Sequence, residues 1–156
     1  RHRTINEEEI YRLDVIKALD PSKNYVIHNH VTPINNHIYN FLYDNGKNIF
    51  IKRLDRKAQL GSYAIAQSTK RFVKFNEQPI GTEKVSDIDI KLLENLINRI
   101  RIYDKIENKP EELVFEEINF VNKSNYPRKQ VENYREVLSA YMLEIIDKLV
   151  DDYNKE

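Results

Sequence analysis

The chain predicts an α+β fold with a mostly antiparallel sheet, an N-terminal helix and two C-terminal helices, the last one long. Three observations carry this. Helical periodicity with capping signals marks both ends of the sequence. Short apolar runs rich in Tyr, Val, Ile and Phe fill residues 24–75. An Asn45-Gly46 pair sits between two of those runs, and Asn-Gly is the strongest short-range hairpin signal because both central residues need positive φ.

The first helix is expected from about Asn6 to Leu19. Asn6 with Glu9 forms a capping box, Glu7 to Glu9 favour the positive helix end, and Ile10, Leu13, Ile16 and Leu19 give the apolar stripe. Asp20-Pro21 ends it. A strand over 24–30 follows, containing Tyr25, Val26 and Ile27. Ile38–Tyr43 then pairs with Asn48–Leu54 around the Asn-Gly turn, although the first run also suits a short helix. Ser62–Gln67 and Arg71–Phe75 read as two more strands. Past the Pro79 and Gly81 loop, Ser86 with Asp89 caps a helix to about Ile106, with Leu93, Leu96, Ile97, Ile100 and Tyr103 facing inward. Residues 111–120 mix periods and are read as a strand. Pro127 opens the last helix, with the stripe Val131, Tyr134, Leu138, Tyr141, Ile145 and Leu149. Some 27 residues in one helix would span roughly 40 Å, more than a domain of this size needs, so its end is expected to meet a protein partner or a second copy.

Length and composition bound the function. The 156 residues suit one domain, with helix and sheet over 4–80 and a helical part over 86–156. The chain begins at Arg1, so a truncated or processed chain is expected. With no cysteine, a disulfide framework and a thiolate zinc site are excluded. No apolar run approaches the ~18–20 residues of a membrane span, and no signal peptide is visible, so a cytoplasmic protein without membrane contact is expected. Lys plus Arg and Asp plus Glu each number 25, and this neutrality argues against coating nucleic acid by bulk charge. Abundant Ile, Asn, Lys and Tyr point to an A/T-rich gene, bacterial or phage.

Two constellations carry candidate chemistry. His28-Asn29-His30, with His37 close behind, places three of the four histidines within ten residues. On a strand His28 and His30 share a face, and neutral imidazole is a good zinc ligand. A third donor would come from His37, Asn40 or Asp44. The plainer reading is an Asn/His-rich turn. The second constellation is Lys47, Lys52, Arg53, Arg56, Lys57, Lys70, Arg71 and Lys74, offset only by Asp55 and interleaved with Tyr43, Phe50, Tyr63, Phe72 and Phe75. Such a basic sheet with aromatics suits phosphate tracking and base stacking. It equally suits a solvated sheet face whose aromatics turn inward. An acidic end at Asp147, Asp151, Asp152 and Glu156 opposes the last helix's dipole and reads as a solubilising tail.

The segment YVIHNHVTPINNHIYNFL resembles the metal-binding segment of the JAB1/MPN (JAMM) metalloprotease family, with GKNIFIKRL and GSYAIA resembling its continuation; the likeness covers about residues 4–75. It implies a helix leading into a strand that ends His-x-His, with His28 and His30 as zinc ligands and His37 and Asn40 at the family's serine and aspartate positions. Val31 stands where the family has proline, Asn40 brings no charge, and the family's general-base glutamate lies on an upstream strand that this chain lacks. Zinc acidifies its bound water and a carboxylate takes the proton, so the departures imply a degenerate metal-binding domain with impaired hydrolase chemistry. A fainter resemblance, YPRKQVENYREVL to the final helix of RecB-type nucleases, rests on Gln130 and Tyr134. The preceding LVFEEINF has Glu116 and Glu117 but no matching lysine. The alternative to a metal domain is a non-enzymatic module that binds nucleic acid through Lys52, Arg53, Arg56, Lys57, Lys70, Arg71 and Lys74, or a protein through the last helix.

Overall fold

The structure is a computed structural model, and it describes residues 4–29, 36–70, 85–118 and 134–156. Among these the chain is helical: α1 (Ile5–Lys17), α2 (Asn36–Asn45), β1 (Phe50–Lys52), α3 (Arg56–Thr69), α4 (Ile90–Asp104), β2 (Glu112–Val114), a 3-10 turn (Phe115–Glu117), α5 (Tyr134–Val137) and α6 (Ala140–Tyr153). β1 and β2 form one two-stranded parallel sheet. The expected mostly antiparallel α+β sheet is therefore corrected to a helical fold with a minimal strand pair.

Each miss has a local cause. The 24–29 stretch carries strand residues but no ladder, and its expected last residue, His30, lies outside the described residues. Residues 36–45 take the helical alternative, and Asn45 ends a helix: its Nδ2 donates to the Phe41 carbonyl at 2.8 Å. Asn48 Nδ2 donates to the carbonyls of Leu42, Tyr43 and Gly46, which satisfies C-terminal groups that a hairpin would have paired across strands. Ser62–Gln67 lies inside α3, while the expected strand Arg71–Phe75 lies outside the described residues. The last helix is not continuous. Ser139 separates α5 from α6 and caps the latter, its Oγ accepting from the Met142 N–H at 3.2 Å. The break shifts the buried stripe to Tyr134, Leu138, Met142, Ile146 and Val150, and leaves Tyr141 exposed. Pro127 and Val131 lie outside the described residues.

The chain divides into two compact units, Arg1–Phe50 with Arg99–Glu111, and Ile51–Asn98 with Glu112–Glu156. In the first, α1 packs on α2. Thr4, not Asn6, caps α1, in a reciprocal box with Glu7. Glu9 is then free to serve α2. Only 7% exposed, it accepts the His37 N–H at 3.1 Å in the first turn of that helix. A ring cluster of Tyr39, Tyr43, Phe50 and Tyr103 completes this unit, and the Tyr43 hydroxyl donates to the Asn108 carbonyl.

In the second unit α3 packs on α5 and α6. Ala58, Leu60, Ala64, Ile65, Leu93, Ile97, Leu138, Met142, Ile146 and Val150 are buried, with Tyr134 laid over Gly61. Asp55 caps α3 by accepting from the Ala58 N–H at 2.8 Å. Asp87 accepts a hydrogen bond from the Ser139 hydroxyl, which ties the approach to α4 to the α6 cap.

Candidate binding surface

The histidine cluster is dispersed in its surroundings. His28 is exposed at the end of the irregular 24–29 stretch, His37 is exposed in the first turn of α2, and Asn40 is exposed one turn further along. His37 and Asn40 are spaced for one helix face, but His37 meets Glu9 through its backbone N–H. His30 lies outside the described residues. Among the described residues no three His, Asp or Glu side chains gather as a metal-holding group. Of the segments that carry the JAMM resemblance, 24–29 forms no strand and GSYAIA is helix.

The basic constellation is not a sheet face: Lys52 ends β1, Arg56 and Lys57 open α3 and Lys70 closes it, and Arg53, Arg56 and Lys57 are engaged within their own unit. Arg53 stacks its guanidinium on the Phe115 ring, 5.0 Å from the centroid, with Nε 3.7 Å from Glu116. Burial lowers its pKa, against the pull of Glu116 and Asp55. Glu116 also accepts the Leu54 and Asp55 N–H groups at 3.1 and 3.2 Å, just ahead of α3. Burial pushes this carboxyl up, but those bonds and Arg53 outweigh it and hold the pKa below its ordinary value. Arg56 is buried and donates to Gln59 at 3.1 Å. Lys57 bridges Asp151 at 3.0 Å and Asp147 at 3.2 Å, and Asp147 also takes Arg135 at 2.9 Å. Lys52 is half-buried. Lys70 is exposed and closes α3 in the left-handed region, φ 58°. Arg71 and Lys74 lie outside the described residues. Hence Asp147 and Asp151, expected in a solubilising tail, instead tie α6 to α3. Of the RecB-like pair, Gln130 lies outside the described residues and Tyr134 is buried over Gly61.

What sequence reasoning missed is the apolar surface of the first unit. Ile10, Tyr11, Val15, Tyr25, Val26, Ile27 and Ile49 are all exposed, Val26 completely at 102% of its reference area. α1 turns Glu9 toward α2 and half-buries Leu13 and Ile16. At 100° per residue Tyr11 and Val15 fall on its opposite side. Apolar residues on both sides of α1 were a legible signal: a surface helix normally carries one apolar stripe. No protein-family model, curated protein or solved structure matches the sequence. No helix among the described residues is long and apolar enough to cross a membrane.

Proposed function

We propose that the chain is a non-enzymatic protein-binding module whose contact surface is the apolar side of the first unit, formed by Ile10, Tyr11 and Val15 of α1 and by Tyr25–Ile27. One observation carries the reading. Among the described residues the first unit buries only three apolar side chains, Ile38, Phe50 and Ile100, yet exposes seven large ones. Burial of apolar area drives both folding and association, at roughly 25 cal/mol per Å². Exposed apolar side chains in this number, beyond the single ones of an ordinary surface, mark interaction sites. The engagement of Arg53 with Glu116 and the Phe115 ring, of Lys57 with Asp147 and Asp151, and of buried Arg56 with Gln59 argues for a protein partner over nucleic acid.

A photo-crosslinking residue in place of Val26, introduced in cells that express the protein, tests this. One discrete adduct is expected, absent when the residue replaces exposed Glu94 on α4. It is also expected to be lost on adding Val15→Glu, with the thermal melt unchanged. A Val26 adduct pattern identical to that at position 94 would overturn the reading.

A further inference from the structure

We infer that Glu116 is an acid-sensitive latch on the second unit: neutralising its carboxylate frees Arg53 from the Phe115 ring while the helices stay packed. One carboxylate holds this corner. Its Oε2 accepts the Leu54 N–H at 3.1 Å, and its Oε1 accepts the Asp55 N–H at 3.2 Å and lies 3.7 Å from Arg53 Nε. These contacts fasten the 3-10 turn after β2 to the segment between β1 and α3. Apolar burial does little of that work. The two strands are three residues each, and Ile51, Leu54 and Leu113 on and beside them are exposed. The most deeply buried side chains, Leu60, Leu93, Ile97, Met142 and Ile146, lie on α3, α4 and α6 instead.

Arg53 is what the latch restrains. Its side chain is only 16% exposed, its guanidinium lies on the Phe115 ring, and its buried Nε has no hydrogen-bond partner. A cation with a buried, unpaired donor depends on nearby opposite charge, and removing that charge leaves it stranded. The charges that face it are Glu116 and Asp55. Asp55 is committed to the α3 cap through the Ala58 N–H, which leaves Glu116 as the partner that can be switched. Glu112 and Glu117, on the same segment as Glu116, are exposed. With Glu116 neutral, Arg53 gains more from water than from the ring, and Phe115 joins Ile51, Leu54 and Leu113 at the surface. Burial pushes the Glu116 carboxyl up, but the Leu54 and Asp55 N–H groups and Arg53 hold it below its ordinary value. The latch is therefore closed above about 4.3 and opens as pH falls through the lower native value.

Glu116→Gln fixes the neutral state at pH 7, where every other carboxylate keeps its charge. In NMR hydrogen exchange the Leu54 and Asp55 amides should exchange roughly tenfold faster than in the unmodified protein, with the α6 amides unchanged. The Arg53 Hδ resonances, displaced upfield by the Phe115 ring, should return to their ordinary position. The unmodified protein should show the same change at about pH 3, and Glu116→Gln should show no further acid step at Arg53. Wild-type exchange at Leu54 and Asp55, or an Arg53 still on the ring, would overturn the inference. So would α6 amides that quicken by the same factor, since the helices would then open with the corner. An acid step at Arg53 that survives in Glu116→Gln would assign the release to Asp55 and refute the latch. If Glu116→Gln does not fold, the acid titration of the unmodified protein decides: Arg53 and the Leu54 and Asp55 amides must move together and before α6.

Discussion

The two units use their apolar residues in opposite ways. Among the described residues the second buries eleven apolar side chains, among them Leu60, Leu93 and Ile146 with essentially no exposure, and leaves Ile51, Leu54, Leu113 and Tyr141 outside. The first buries three and leaves seven outside. Their polar groups differ in the same sense. In the second unit Asp147 and Asp151 tie α3 to α6, and Glu116 is locked between backbone amides and Arg53. The first unit depends on one buried carboxylate, Glu9, and a cluster of rings. The difference teaches that, among the described residues, one unit spends most of its apolar side chains on its own core, whereas the other leaves most of them outside.

The largest test of that contrast is a matched pair of core truncations. Ile146→Ala removes a side chain with no exposure from a packed helix triad, and should cost about 2–5 kcal/mol in urea unfolding. Ile38→Ala, the same chemistry in the first unit, should fall at the low end of that range, because fewer buried neighbours leave a smaller cavity. Equal costs would break the contrast. Next in size is Gly61→Ala. A Cβ there would run into the ring of Tyr134, itself buried, and overpacking of this kind costs about 1–3 kcal/mol. Alanine is the better helix former by about 1 kcal/mol, so a melting temperature that rises instead of falling would show that Tyr134 yields easily and that the second unit is looser than described.

The sequence was legible where a long periodic stripe ran along a helix, although the caps fell elsewhere: α4 begins at Ile90 with Asp89 Oδ1 accepting from the Lys91 N–H, while Ser86 meets Ser68. Leu93, Ile97 and Ile100 face inward on α4 as their spacing requires. It was illegible where apolar runs were short, since four to eight apolar residues read alike as a strand or a buried helix turn. Ser62–Gln67 is such a run, and the reason for Gly61 just before it shows only when Tyr134, far off in sequence, is seen to need the space. Asn45-Gly46 misled because asparagine serves a helix end as well as a turn. The engagement of Lys57 with Asp147 was beyond sequence reasoning for another reason: a charge run says nothing about which distant carboxylates fold back on it. The Ser139 break was in plain view as an N-cap residue, but continuous periodicity on both sides masked it.

A smaller effect is expected at the one buried carboxylate of the first unit. Glu9→Gln keeps the shape but removes the charge that faces the α2 N-terminus, and should cost about 1 kcal/mol. Amide hydrogen exchange in α2 should then quicken about fivefold, with α6 amides unchanged. Equal quickening in α6 would mean that the two units open together.

The smallest effect is the most pointed. Asp147 keeps a pKa below its ordinary value: burial pushes it up, but bonds from Lys57 and Arg135 outweigh this. Lys57 is raised, by Asp151 first and then Asp147. A lowered carboxyl adds stability that is present above its unfolded value, about 3.9, and is lost as pH falls through the native one. A raised lysine adds stability that is present below about 10.4 and is lost as pH rises through its native value. The tie is therefore complete between those limits and weakens at both ends. Because these side chains are about one-third exposed, solvent screening holds the Lys57–Asp147 coupling to about 0.2–1 kcal/mol, measured as a double-mutant cycle of Lys57→Met and Asp147→Asn at pH 7 and shrinking in 0.5 M salt. A coupling of zero would leave Lys57 available beside Lys52 and Lys70, and would return phosphate binding by the second unit to contention. A measurable coupling means that this unit has used its own charge, as it has used most of its described apolar side chains.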